Sequence, residues 1–566
     1  MILRIFSLFA ILLMGSSWLI PNHYLPWLSF YNEIAFSGGI GLLCLVFLWQ
    51  KPGFVKWPLI AIFFVFLGCV PILQVTFGLI DLGGAGSVAS LYVVGFSLCI
   101  VFGYELFECQ ASERLQNMAL VVLVPAVVSV GIALYQWQQF YALGDWIVNM
   151  EPNGRPYANL AQPNHLATFL YWGVIALLLL FQQRCIGAFV LAVGVAFLGA
   201  GIALTQSRTG LLECFCFGGM VLALKKRTGL RVNMVWVAFS LLLLVVVSLY
   251  WRSLDQWAVL SQSTLPANGG ARLSVGTRPD HWLSILDAIS RQPWLGYGWD
   301  QVSKAHLSVA LAHPAMTETQ AHSHNLVLDL LVWNGVPLGL LVFGVVVYWL
   351  IQQFRSCRSA EGLLLLAAVV GVLLHGLLEY PLEYAYFLLP TGLMMGAIER
   401  LNSNVSCSIV VPKRLTKIVF GVVFGLVGLV AVEYSAAEAA YRNWRLHTTR
   451  VVSVELEELP NILFLTQLRD FLVVVRSDVH SGMSGDELMR MRAVAFRYMH
   501  PELLMQYAVA NALNNKPDEA ATILQVICKR YRRSLCEFQL KKWRRLARDR
   551  YPVLNSVTLP KDHGVD

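Results

Sequence analysis

About thirteen largely apolar runs, near residues 3–20, 33–50, 58–79, 88–107, 116–137, 165–182, 186–206, 209–224, 232–250, 325–351, 361–377, 382–398 and 415–434, are long enough to cross a bilayer. Such runs leave few folds open. In hydrocarbon every backbone N–H and C=O needs a protein partner, and continuous apolarity of this length selects helices over barrel strands. The sequence therefore predicts an all-α, polytopic transmembrane protein. Composition agrees, because 13% of the residues are charged, where a soluble domain carries about 25%. The net charge of +8 is not read as a nucleic-acid footprint. Lys and Arg stand in short clusters between apolar runs, as in cytoplasmic loops. Membrane lipid is the expected surrounding, and no nucleic acid is expected as a partner.

The loops alternate in charge. One set holds Lys51 and Lys56, Arg114, Arg184, the Lys225-Lys226-Arg227 cluster with Arg231, Arg355 and Arg358, then Arg400, Lys413, Arg414 and Lys417. The other short loops hold almost none. The positive-inside bias places the N-terminus in the cytoplasm of a bacterial inner membrane and the C-terminal tail in the periplasm. The first apolar run has one early basic residue, Arg4, and no small-residue cleavage site after it; it reads as an anchor and not as a removed signal. Two domains are expected: a multi-spanning domain over 1–434, including an outer loop at 251–324, and a periplasmic helical domain over 435–566. A loop of more than 70 residues between spans points to function.

The tail reads as helical. Leu503 to Leu513 is Ala-rich and amphipathic, Asn514-Asn515-Lys516-Pro517 breaks it, and a second helix begins near Asp518. The pattern matches one helix–turn–helix unit of the tetratricopeptide kind. Cys528 and Cys536 are a candidate disulfide in an oxidising compartment. The other nine cysteines (Cys44, Cys69, Cys99, Cys109, Cys185, Cys214, Cys216, Cys357 and Cys407) lie in apolar runs or their flanks, with no CxxC pair. They read as small hydrophobes, not as a metal or redox site.

Polar residues gather in the outer loops. Gly154-Arg155-Pro156-Tyr157-Ala158-Asn159-Leu160-Ala161-Gln162-Pro163-Asn164-His165 runs directly into a span, and irregular backbone there needs protein or a water-filled cavity around it. Ser207-Arg208-Thr209-Gly210 places a cation at a span boundary, which marks a functional residue or a snorkelling one. Gly276-Thr277-Arg278-Pro279-Asp280-His281-Trp282 precedes Pro293-Trp294-Leu295-Gly296-Tyr297-Gly298. Trp282, Ile285, Leu286 and Ile289 form one apolar stripe, predicting a helix lying on the membrane surface, with Arg278 at headgroup depth and His281 exposed on another face. Ala321-His322-Ser323-His324-Asn325 stands at the mouth of the tenth run, where an imidazole can take a proton near neutral pH. His375-Gly376-Leu377-Leu378-Glu379-Tyr380-Pro381 is a further polar turn, in which Glu379 orients or neutralises a basic group.

Arg208 in SRTG, Arg278 with Trp282 and PWLGYG, and HSHN leading into LVLDLLVWNGVPLG together resemble the O-antigen ligase and polymerase superfamily. The segment GRPYANLAQPNHLAT, residues 154–168, is more specifically similar to bacterial O-linked protein oligosaccharyltransferases, the pilin glycosylation ligases. The resemblance covers roughly residues 60–400. It implies a glycosyltransferase that moves a glycan from an undecaprenyl-diphosphate-linked oligosaccharide donor to a hydroxyl of an acceptor protein, a pilin or another exported protein. It implies no cofactor, nucleotide sugar or metal. Carried over by position, Arg208 and Arg278 hold the diphosphate and His324, with His322 as the alternative, takes the acceptor proton. His324 is favoured because it directly precedes Asn325. Arg155, Tyr157, Asn159, Gln162, Asn164, His165, His322, Asn325 and Glu379 are the implied substrate-binding residues.

Rival readings are an O-antigen ligase with a lipid A–core acceptor, a repeat-unit polymerase with a glycan acceptor, a lipid-linked glycan transporter, and a structural protein of pilus assembly. The 154–168 segment and the soluble tail favour a protein acceptor. A transporter tends to show matched broken helices in two halves; the polar residues here gather on one face instead.

Overall fold

The computed structural model describes residues 2–51, 53–108, 111–140, 142–151, 154–250, 278–313, 321–402, 407–449 and 454–560. Cys109, Gly276, Thr277 and most of the first half of the 251–324 loop lie outside the described residues, as does the side chain of Arg278.

Each apolar run is a helix, because a continuous apolar stretch in lipid can satisfy its backbone no other way. They are α1 (Ile2–Ser16), α2 (Phe30–Gln50), α3 (Leu59–Thr76), α4 (Gly83–Leu106), α5 (Ala111–Trp137), α6 (Pro163–Gln182), α7 (Ala188–Leu204), α8 (Arg208–Thr228) and α9 (Met234–Leu249). After α10 (Arg278–Arg291) and α11 (Val302–Val309) come α12 (Leu326–Ser356), α13 (Ala360–Gly376), α14 (Ala385–Leu401) and α15 (Lys413–Thr449). Among the described residues, α2 to α6, α12 and α15 are the seven helices long and apolar enough to cross a membrane, and α1, α7, α9 and α13 are shorter apolar helices. The chain is a multi-pass helical membrane protein.

One element departs from an all-α expectation. β1 (Phe54–Pro58) and β2 (Ser408–Pro412) pair antiparallel, Phe54 opposite Pro412 and Trp57 opposite Ile409. The β-branched run Ile409-Val410-Val411 favours a strand. The sequence reading places residues 54–57 and 408–412 in loops between apolar runs, so neither strand is expected from it.

Compact packing divides the chain into two units. The first comprises Met1–Leu67, Leu91–Leu273 and Val346–Leu429; the second comprises Gly68–Ser90, Ser274–Val345 and Val430–Asp566. In the first unit α6 is the central helix, buried almost continuously from Asn164 to Leu180 and packed against α5, α7, α8 and α13.

The second unit joins the tail to two distant segments. Its tail helices are α16 (Thr466–Arg476), α17 (Gly485–Tyr498), α18 (Pro501–Leu513), α19 (Pro517–Arg530) and α20 (Arg533–Asp549), each packed on the next. Gly84 N–H donates to Thr466 Oγ1 at 2.7 Å, Arg497 pairs with Asp300, and α11 packs on α17. Cys528 and Cys536 form a disulfide that packs with Leu540.

The backbone of α12 is interrupted. Gly335 stands at φ 73°, two residues before Pro337. Three of the main-chain groups this frees inside an apolar helix meet partners from outside it. Tyr297 N–H donates to Val332 O and Val336 N–H to Pro293 O, both at 2.7 Å. Pro337 has no N–H for Trp333 O, and the Gln74 side chain supplies one at 2.7 Å. A Cβ at Gly335 would stand 2.3 Å from Trp294 O, and one at Gly296, φ 68°, would stand 2.3 Å from Val332 O. PWLGYG and WNGVP are two halves of one main-chain lock, and both central glycines are required by space and by φ.

Candidate active site

In the first unit the site is assembled at the start of α6. Gln136, near the end of α5, accepts from the N–H groups of Tyr157 and Ala158 at 3.1 and 2.8 Å. Its amide donates to Val148 O and Ala158 O. Asn159 is 1% exposed. Its Oδ1 accepts from Val148 N–H at 3.1 Å, and its Nδ2 donates to Leu19 O and Trp146 O at 2.7 and 3.0 Å. Those bonds occupy the amide, so Asn159 positions the loop instead of lining a ligand site. Gln162 caps α6, its Oε1 accepting from His165 N–H at 2.8 Å, and Pro163 follows in the first turn. Tyr157 O–H donates to Asn149 O at 2.6 Å.

Asn164 ties three segments together. Its Oδ1 accepts from Ser207 Oγ at 2.7 Å and its Nδ2 donates to Glu379 Oε1 at 3.2 Å. Ser207 in turn caps α8 through Gly210 N–H, so Arg208 is the first residue of that helix, with its side chain exposed. Arg155 is exposed too and reaches Gln206 O at 3.4 Å. One turn deeper on α6, the Thr168 hydroxyl donates to Glu213 Oε1 at 2.5 Å and receives from His375 Nδ1 at 2.7 Å. Thr168, Glu213 and His375 are each fully buried. His165, 1% exposed, packs edge-on against His375, Tyr384 and Phe387. It does not line an open surface.

Sequence reading assigned no role to Thr168 and Glu213, and His375 only began a motif. The available signal was Glu213, the one acid in the 209–224 run. An ionisable residue inside a span is a functional candidate by default.

In the second unit the site lies at the entrance to α12. Asn325 caps the helix, its Oδ1 accepting from Val327 and Leu328 N–H groups at 3.0 and 3.2 Å. Ser323 N–H donates to Asp329 Oδ1 at 2.9 Å and Ser323 Oγ to Asn325 O at 2.8 Å. His324, between these fixed residues, has φ 55°, a left-handed conformation uncommon for a side-chain-bearing residue. Burial pushes the His322 imidazole down to about 4.

Two expectations for α10 need correction. His281 is 2% exposed, not on the surface. Its Nε2 meets His322 O at 3.0 Å, and its ring stacks on His306 at 4.5 Å. The buried stripe is His281, Ser284, Ile285, Ala288 and Ile289, while Leu283 and Leu286 are 58% and 49% exposed. The helix buries that face against protein, because it packs on α11 and polar His281 and Ser284 find partners there. Periodicity alone took the aromatic and aliphatic residues and set the stripe about one position too far along.

Among the described residues, four of the nine non-glycine positions with positive φ are Ala158, Ala161, Gln206 and His324. Unfavourable backbone of this kind clusters at functional sites. No group of three or more His, Cys, Asp and Glu among the described residues stands together to hold a metal ion.

Comparison with known proteins bears on what this geometry serves. Residues 192–343 match the O-antigen ligase family, residues 156–181 the protein glycosylation ligase family, and residues 363–545 the C-terminal part of the virulence factor membrane-bound polymerase family. The chain is 28% identical to the general O-oligosaccharyltransferase of Acinetobacter baylyi, over 91% of this chain and 90% of that protein. It is 25% identical to the ComP-specific O-oligosaccharyltransferase of the same organism, over 88% and 90%.

Proposed function

We propose that this chain, similar over nearly its whole length to O-oligosaccharyltransferases, is a glycosyltransferase of the O-antigen ligase superfamily that transfers a glycan from undecaprenyl diphosphate to Ser or Thr hydroxyls of an exported acceptor protein such as a pilin. The proposed reaction takes place on the periplasmic face of a bacterial inner membrane that the chain crosses about thirteen times, a topology that the alternating loop charges support.

In this reading His324 takes the acceptor hydroxyl proton as its oxygen attacks the anomeric carbon. The bond from that carbon to the diphosphate breaks, and Arg208 and Arg278 offset the charge left on the departing lipid diphosphate. His322, held near pKa 4, is a poor acceptor at neutral pH, which favours His324 as the base. Arg155, Tyr157 and Gln162 serve substrate binding from the loops, and buried Glu379 holds Asn164. Asn159 and His165 support those loops from within.

One observation carries the proposal. Asn164 of the Pro163-Asn164-His165 segment bonds to the residue that caps the helix opened by Arg208, so the protein-ligase segment and the superfamily arginine form one structure. The soluble tail serves acceptor docking in this reading. Because the tail also packs on α11, point changes on its exposed faces test docking better than its deletion.

The test is transfer by the purified chain from a lipid-linked oligosaccharide to a pilin, followed by intact-mass spectrometry. A glycan mass increment is expected. Arg208→Ala and His324→Ala are each expected to lower the rate by about 10²–10⁴ with the melting temperature unchanged. An acceptor of the same mass in cells with and without the chain removes the proposal, and glycan appearing on lipid A–core instead points to the ligase reading.

A further inference from the structure

Two neighbouring side chains of α10 reach the carbonyls of the two residues that precede His324. His281 Nε2–H donates to His322 O at 3.0 Å, and Trp282 Nε1–H donates to Ser323 O at 2.9 Å. The far end of the same segment is bonded to the break in α12, through Val336 N–H to Pro293 O and Tyr297 N–H to Val332 O. Trp282 and Pro293 lie 11 residues apart, and Ser323 and Val332 lie 9 apart. The segment that begins with α10 therefore grips the outer part of α12 at both ends.

We infer that α10 is a splint for His324, and that His281 and Trp282 are positioning residues for the transfer reaction. The inference rests on His324 being the proton acceptor.

The left-handed backbone of His324 is unfavourable by itself, and nothing in the HSHN sequence compels it. It persists because its neighbours are fixed on every side. His281 holds the carbonyl of residue 322 and Trp282 that of residue 323. Asp329 holds the N–H of residue 323, and the Ser323 hydroxyl bonds Asn325 O. His281 is itself held. Its ring lies against His306 at 4.5 Å and 25°, and Ser284 Oγ bridges His281 O and His306 Nδ1. Donation to a carbonyl requires a proton on Nε2 of His281, so the contact also selects that tautomer. Arg278 begins the same helix, three residues before His281. One rigid element thus carries a proposed diphosphate cation at its first residue and sets the loop of the proposed base one turn later. This accounts for the joint presence of Trp282, PWLGYG and HSHN, each a contact point of the splint, in the helix that Arg278 opens.

The test measures kcat, and KM for the lipid-linked donor, with the full chain in lipid nanodiscs. Trp282→Phe keeps the ring and removes the donor, and His281→Leu removes the other donor. Each is expected to lower kcat about five- to tenfold, and the double variant about thirty- to a hundredfold, with KM within about twofold. His281→Gln, which offers an N–H at similar reach, is expected to recover kcat to within about threefold of the parent. The inference is overturned if the double variant keeps parental kcat, if KM rises while kcat holds, or if His281→Gln is no better than His281→Leu. Trp282→Phe alone decides the matter should the double variant fail to fold. His324→Ala, run alongside, separates the two claims. Full activity in His324→Ala removes His324 as the base. Loss of activity there, with an unaffected double variant, removes only the splint.

Discussion

The polar residues at the start of α6 and those around His324 are held in opposite ways. In the first region side chains bond to side chains: Asn164 to Ser207 and Glu379, Thr168 to Glu213 and His375. In the second, side chains bond mainly to main chain: His281, Trp282 and Asp329 each take a backbone group of residues 322 and 323. A buried side-chain network makes its members depend on one another, since removing one orphans the rest. A main-chain clamp depends less on any one side chain and more on the backbone having room. The two regions should therefore fail at different kinds of residue.

The largest effect is expected where room matters most. Gly335→Ala puts a Cβ 2.3 Å from Trp294 O, so the lock must open. A loss of about 2–4 kcal/mol in stability and at least about a hundredfold in transfer is expected, measured by thermal unfolding and turnover. A silent Gly335→Ala would break the comparison.

Next is Asn164→Ala, which leaves Ser207 Oγ and Glu379 each short of a bond. About 2–3 kcal/mol of destabilisation is expected, with Asn164→Ala/Glu379→Ala costing less than the sum of the single changes. Strict additivity would show that the network is only a set of independent contacts.

The smallest effect is on pH. His322 is held down to about 4, and burial lowers His306 as well, so in this range the unfolded chain binds protons that the folded chain does not. Stability should be full above about pH 6.5 and fall as pH drops through 6.5 toward 4, by a few degrees of melting temperature. His322→Gln should flatten that slope. An unchanged slope in both His322→Gln and His306→Gln would place the effect elsewhere.

How much of this was legible in the sequence follows from what each signal reports. Apolar runs located every long helix, because lipid demands continuity that can be counted. The loop motifs pointed to Arg208, Asn164 and His324 because polar residues at a membrane boundary are unfavourable without a purpose. The partners were hidden. Thr168 and Glu213 stand 45 residues apart, and nothing local says that they meet. His281 was misread because a stripe of apolar letters outweighs one histidine, although that histidine has the more specific bond. Gly335 and Gly296 were visible only as letters in two motifs, and their shared reason is a contact between them.

The composition of the second unit has a consequence for synthesis. Gly68–Ser90, Ser274–Val345 and Val430–Asp566 leave the ribosome in that order, and the unit needs all three. The helices of the first unit can be inserted while translation continues. The second unit is complete only when α17, near the end of the chain, brings Arg497 to Asp300. Contacts between segments so far apart form late. The chain is thus threaded into the membrane well before its second unit is complete, and a product stopped early would be inserted but unfinished.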